Sequence, residues 1–429
     1  MSKPVFQSRV DFLGLPADQG RVFVCPQTSA ITDLSCLRVL HSGVDTVRQL
    51  YRGKLRAGIL SMFESTKLLT FAGYQWFPGR VGRDSGYQYR LQNNDLGLIL
   101  LIKNFNVSEY DNGPHLKIEA SPHLIGSIAP TELQTLMNTL AIDILEDLQP
   151  NQCAVHLAVD LQGWVPPSDF IDRMHCRSRR TRDTSGISQI NWDSESTVYG
   201  RGQSFLFGSA SSVQLAIYNK TLQARAIDKL DYWQRVWRQS DNPFDDADPL
   251  NYDPLQDVWR IEIRYHHSVV NQFASGSVDL STSAPIDTSM FNQIAPHLDG
   301  LWRYGLTAFK MLDVNQARST KVYSAIWTLL SQDVYFFSST ALHDTDYRRA
   351  YKTAGGFSGK NVELFMGNMV SLLARERIGA KKAFDRLKEW ECWPVISEHF
   401  KNKGKSERDV YRWLRDKLAE RTIRYGVAV

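Results

Sequence analysis

The chain has 429 residues, 43% of them hydrophobic and 11% aromatic, and a formal net charge of +4. That length and apolar content exclude a disordered chain and predict two or three folded domains. No run approaches the roughly 18 apolar residues of a membrane span, the N-terminal stretch lacks the apolar core of a secretory signal, and five scattered cysteines without a CxxC pair speak against a zinc site or a disulfide scaffold. A cytoplasmic protein with reduced thiols and no membrane partner is expected.

Apolar residues at helical spacing predict a helix from about Leu34 to Ser65. The runs "GYQYRLQ", "LGLILLIKNF" and "HLKIEAS" alternate as strands do, and Pro130 with Thr131 supplies a start for a helix over Thr131 to Leu148. Further strands are predicted at "CAVHLAVDL", "QSFLFGS", "VQLAIYNK" and "VWRIEIRYH". The Pro/Ser/Asp-rich stretches Asn242 to Asp257 and Ala274 to Ser289 read as loops or a linker. After about residue 290 the period becomes 3.6. The expectation is an α+β domain over residues 1–290, then a mainly α-helical, basic domain over 291–429 that binds DNA or mediates oligomerisation, a dimer being one form. "GGFSGKN", Gly355 to Asn361, is a poor phosphate loop, since Ala354 and Asn361 stand where a glycine and a Ser/Thr are needed, and reads as a turn before a helix.

Strand alternation places polar groups together. His156, Ala158 and Asp160 share one face of their strand; Arg260, Glu262 and Arg264 share one face of another, and Gln214, Ala216, Tyr218 and Lys220 of a third. Adjacent strands would gather His156, Asp160, Glu262, Tyr218 and Lys220 on one sheet face. Carboxylates suit Mg²⁺ or Mn²⁺, and a histidine suits Mn²⁺. A tyrosine can form a covalent intermediate if a nearby cation helps its phenol to ionise. Equally, a strand tyrosine can be a packed aromatic, a glutamate between arginines a structural ion pair, and a strand histidine a core residue.

Positive charge is uneven. "HCRSRRTR" brings Arg177, Arg179, Arg180 and Arg182 together without an acid, and from Ser371 onward 15 Lys+Arg face 9 Asp+Glu, a surplus of six. In that tail Lys381, Lys382 and Arg386, then Arg408 and Arg412, recur at helical spacing. Such clusters neutralise phosphates, although a solvated helix face has the same composition.

The stretch "YGRGQSFLFGSASSVQLAIYNK", followed by "VWRIEIRYHHSVV", resembles the replication initiation factor family. This family comprises rolling-circle initiators of small plasmids and filamentous phages, with related relaxases of integrative conjugative elements. The matching parts are the strand Phe205 to Phe207, Gly208-Ser209 with Ser212, Tyr218-Asn219-Lys220, and Arg260-Ile261-Glu262. "HLAVD", His156 to Asp160, is similar to the family's strand with two acids, the first replaced by histidine. Ala216 departs from a basic residue, which shifts a phosphate contact to Arg201 or to the Arg177–Arg182 cluster.

The resemblance implies an HUH-like antiparallel β-sheet nicking domain with flanking helices. It implies a metal-dependent single-strand DNA endonuclease and strand transferase that nicks an origin through a 5′-phosphotyrosine and leaves a 3′-OH primer. Tyr218 would be the nucleophile, with Lys220 stabilising charge. His156, Asp160 and Glu262 would hold Mg²⁺ or Mn²⁺, with Glu119 in reserve. Arg177, Arg179, Arg180, Arg182, Arg260, Lys381, Lys382 and Arg412 would contact DNA. Partners would be a single-stranded or hairpin origin, a host helicase and the replication machinery of a bacterial cytoplasm. A conjugative relaxase and a non-catalytic DNA-binding protein on the same fold are the alternatives.

Overall fold

The structure is a computed structural model. It describes residues 4–11, 13–64, 68–176, 181–183, 204–245, 248, 250–280, 282–313, 321–336, 345–350, 353–354, 357–402 and 405–424. Two compact units divide the chain, Met1–Arg349 and Ala350–Val429.

The first unit is α+β around an eleven-stranded sheet. Its strands are β1 (Arg38–Leu55), β2 (Leu69–Phe71), β3 (Tyr74–Arg80), β4 (Tyr87–Asn93), β5 (Leu98–Asn104), β6 (Gly113–Ala120), β7 (Leu145–Gln162), β8 (Thr181–Asp183), β9 (Ser204–Gly208), β10 (Val213–Asn219) and β11 (Val258–Tyr265). They lie in the order β8-β9-β10-β11-β7-β1-β6-β5-β4-β3-β2, with every neighbouring pair antiparallel. All seven runs read as strands from alternation lie in this sheet. The helix expected near Thr131 forms as α1 (Pro130–Ile144), with Pro130 in the first turn, where its missing N–H costs nothing.

One expectation fails. The span Leu34 to Ser65 is mostly the 18-residue strand β1, not a helix. Its register against β7 slips at four places, and at two of them the extra residue lies in β1: Thr46 faces His156 but Val44 faces Leu157, and His41 faces Asp160 but Val39 faces Leu161. Asp45 and Leu40 are therefore bulge residues, and each extra residue breaks the two-residue alternation. The apolar positions of the run thus fall at intervals of three and four, the signature of a helix.

The apolar face of the central strands (Val155, Leu157, Val159, Leu161, Ile261, Ile263) is buried under α1, α4 (His267–Gly276), α5 (Leu298–Ala308) and α6 (Ala325–Asp333). On the other face lie α2 (Lys220–Ala226) and α3 (Leu230–Trp237), whose Ala224, Trp233 and Trp237 pack with Leu40, Tyr252 and Val258. The division between units falls at Arg349/Ala350, later than residue 290, because Phe291, Trp302, Trp327 and Leu330 complete the core of the sheet unit. The stretch read as a loop or linker at Asn242 to Asp257 is tied to β7: Gln162 donates to the carbonyls of Asp253 and Gln256.

The second unit contains α7 (Gly359–Arg375), α8 (Ala380–Lys388), α9 (Trp393–Asn402) and α10 (Glu407–Arg424). Met366, Val370, Leu387, Phe400 and Leu414 form its core. Gly355 and Gly356 of "GGFSGKN" lie outside the described residues; Thr353–Ala354 pairs with Phe357–Ser358, and α7 begins at Gly359. Among the described residues no helix is long and apolar enough to cross a membrane.

Helix α5 touches the back of β11 through a glycine. A Cβ on Gly305 would stand 2.5 Å from Ile263 Cδ1 and 2.9 Å from the Tyr265 hydroxyl. Gly305→Val should therefore lower stability by about 1–3 kcal/mol, the usual cost of overpacking, read as a lower midpoint in urea with unchanged slope.

Candidate metal centre and tyrosine site

Register fixes the polar face in three rows. Asp160, Arg260 and Tyr218 form one; Ala158, Glu262 and Ala216 the next; His156, Arg264 and Gln214 the third. Glu262 is flanked by two alanines, so long side chains from the outer rows reach it diagonally. The Tyr218 hydroxyl donates to Glu262 Oε2 (3.0 Å), and Arg264 holds Glu262 with Nε at 2.9 Å and Nη2 at 3.2 Å. His156 Nδ1 lies 3.2 Å from Glu262 Oε1. Burial would raise the Glu262 carboxyl's pKa, but Arg264 and His156 hold it well below its ordinary value.

Lys220 is not on the strand. Strand β10 ends at Asn219, whose Oδ1 accepts from Leu222 N (3.0 Å) and caps α2, while its Nδ2 donates to Asp257 (2.8 Å). This turn swings Lys220 back over the sheet. Its Nζ donates to Gln223 (2.8 Å) and stands 4.3 Å from the Trp233 ring centroid and 5.8 Å from that of Tyr218. Burial, and then Arg260, push the ammonium down to about 7. The Tyr218 phenol is pushed well above its ordinary 10, by burial and then by Glu262, so with these neighbours alone it stays protonated.

Among the described residues, Asp45, His156 and Glu262 each offer one ligand atom, all within 4.8 Å of one another. A carboxylate, imidazole, carboxylate set fits Mn²⁺ or another first-row ion, whose bonds of about 2.1 Å would require a small contraction. Asp45 takes the place expected for Asp160. Asp160 shares the right face but pairs directly across from Arg260, which forks onto it (Nε to Oδ1 2.6 Å, Nη2 to Oδ2 2.8 Å); Trp237 Nε1 adds a third bond at 2.8 Å. Arg260 also bonds Asp45 through Nη1. With both Asp160 oxygens taken, burial is outweighed and the carboxyl stays below its ordinary pKa.

Arg260 itself is 0% exposed and stacks over Trp233, so the expected DNA contact is a buried structural ion pair. Glu119 lies on β6, paired with Lys117 (2.8 Å) and Arg48 (3.4 Å), outside the ligand set. Arg177, Arg179, Arg180 and Arg201 lie outside the described residues; Arg182 falls in β8, its side chain undescribed. In the second unit Lys381, Lys382 and Arg412 are exposed, Arg412 lying 3.7 Å from Asp409.

The helical spacing of its segment hides Asp45 in the sequence. The available signal was Gly43, since an isolated glycine in a strand pattern marks a bulge; a Cβ there would stand 2.8 Å from the His41 ring.

The chain is 49% identical over 429 residues, covering 99% of itself and 98% of its relative, to a protein named Uncharacterized protein ORF430 of Pseudomonas phage Pf1. It belongs to the ORF430 family. No protein-family model and no solved structure matches the chain.

Two substitutions should move stability in opposite directions. Asp160→Asn leaves Arg260 buried with half its partner and should cost about 3–5 kcal/mol in chemical denaturation. Lys220→Met should raise the melting temperature, more at pH 6 than at pH 9. Lys220's folded pKa of about 7 lies below its unfolded value, so the parent gains stability as pH rises through that window and the buried charge costs most below it.

Proposed function

We propose that this protein is a metal-dependent, single-strand DNA nicking and rejoining enzyme that initiates rolling-circle replication of a phage genome. The observation that carries the reading is the chain Tyr218–Glu262–His156 with Asp45 alongside, which sets a nucleophilic hydroxyl one hydrogen bond from a candidate divalent-cation centre. Support comes also from the resemblance of the Tyr218 and Glu262 strands to replication initiators and from the phage origin of the ORF430 relative.

Tyr218 Oη attacks the scissile phosphorus, the new P–O bond forms, and the bond from phosphorus to the 3′-oxygen breaks. The phenol proton leaves along its hydrogen bond to Glu262. Lys220, poised near neutrality, supplies a proton to the departing 3′-oxygen or a positive charge to the phosphate. A divalent ion held by Asp45, His156 and Glu262 would polarise the phosphate and offset the burial that keeps the phenol protonated. Asp160 and Arg260 position Asp45 without touching substrate. The retained phosphotyrosine keeps the energy of the broken bond, so rejoining needs no nucleotide triphosphate.

Single-stranded oligonucleotides tiling the protein's own replicon origin, incubated with Mn²⁺ or Mg²⁺ and resolved on a denaturing gel, test this. A covalent adduct should form, vanish in Tyr218→Phe and persist in Tyr199→Phe. Asp45→Asn should slow it roughly 100-fold or more, as loss of one electrostatic group does. Adduct in Tyr218→Phe would remove the nucleophile assignment. No adduct with any metal, together with salt-sensitive DNA binding, would favour a non-catalytic DNA-binding protein.

A further inference from the structure

Beside the cluster, on the same sheet face, is a cleft of about 230 Å³. Its wall includes Arg48, Lys117, His156, Arg264, His266 and His267, and among the described residues no carboxylate lines it. Glu119 pairs with Lys117 and Arg48, and Glu262 with Arg264, but neither glutamate lines the cleft. The His266 and His267 rings lie 3.8 Å apart at the start of α4. We propose that this cleft is a second phosphate subsite, holding the phosphate of the nucleotide next to the scissile one; the assignment to DNA rests on the nicking reading above.

Three observations carry it. His156 lines the cleft and is one hydrogen bond from Glu262, which is one from the Tyr218 hydroxyl, so the two sites are contiguous. The volume is below the roughly 300–1,000 Å³ of pockets that enclose a whole small molecule and suits a phosphate with part of its sugar. The lining pairs neutral and cationic donors: burial, then His266, Lys117 and Arg48, drive His267 down to about 3, so its imidazole is neutral at physiological pH, while Arg48, Lys117 and Arg264 bring positive charge to the wall.

The test uses the full chain in EDTA with a short fluorescein-labelled oligothymidylate, measuring anisotropy against salt. Lys117→Gln should weaken binding about tenfold and flatten the logarithmic salt slope by about 0.7 for one lost contact. Because Lys117 also serves Glu119, a second variant is placed on the exposed turn residue Ala210, which lines the cleft: Ala210→Glu should weaken binding similarly and Ala210→Lys tighten it. Parental affinity and slope in all three would overturn the subsite even if the unmodified protein forms its adduct. Weakened binding in a protein that never forms an adduct would leave the phosphate subsite standing and remove the nickase. Millimolar inorganic phosphate should not displace the strand; full displacement would reassign the cleft to the free anion and overturn the DNA assignment.

Discussion

The buried fork of Arg260 holds the polar face of the sheet together. One guanidinium, stacked on Trp233, bonds Asp160 on the strand to one side and reaches past it to Asp45 on the next, so three strands converge on a single charge. A buried ion pair of this kind adds little net stability over apolar packing, but losing one partner is expensive. Its effect is positional: Asp45 sits on a bulge, and the guanidinium fixes which way its carboxylate points.

Burial and pairing also set the charge states on this face. Glu262 is held ionised by Arg264 and His156, Tyr218 is kept protonated by burial, and Lys220 is drawn to the middle of the physiological range. Removal from water drives the shifts of Tyr218 and Lys220, whereas at Glu262 it is overridden by Arg264 and His156. A sheet face that would ordinarily be solvated instead lies partly beneath two tryptophans, Trp233 and Trp237, where charges interact more strongly than in water.

Much of this could be read from the residues. Alternation in β7, β10 and β11 places His156, Glu262 and Tyr218 on one face, because those strands run without a slip against one another. It fails where backbone irregularity intervenes. The bulges at Asp45 and Leu40 disguise β1 as a helix and so hide Asp45, leaving Asp160 as the carboxylate that alternation points to. Pairing register is a long-range property: Asp160 and Arg260 are 100 positions apart, and nothing local says that they face each other. The unit boundary likewise depends on packing, since helical periodicity after residue 290 does not reveal that Trp302 and Trp327 bury themselves against the sheet.

The junction after Tyr218 has a mechanical meaning. Asn219 closes the first turn of α2 with one end of its amide and grips Asp257 with the other, while Asp257 ends the loop that Gln162 pins at Asp253 and Gln256. A surface loop, a helix cap and the buried ammonium of Lys220 are thus parts of one lever. Moving the loop would strain the Asn219–Asp257 bond and so the turn that carries Lys220, which ties the interior of the sheet face to a surface segment.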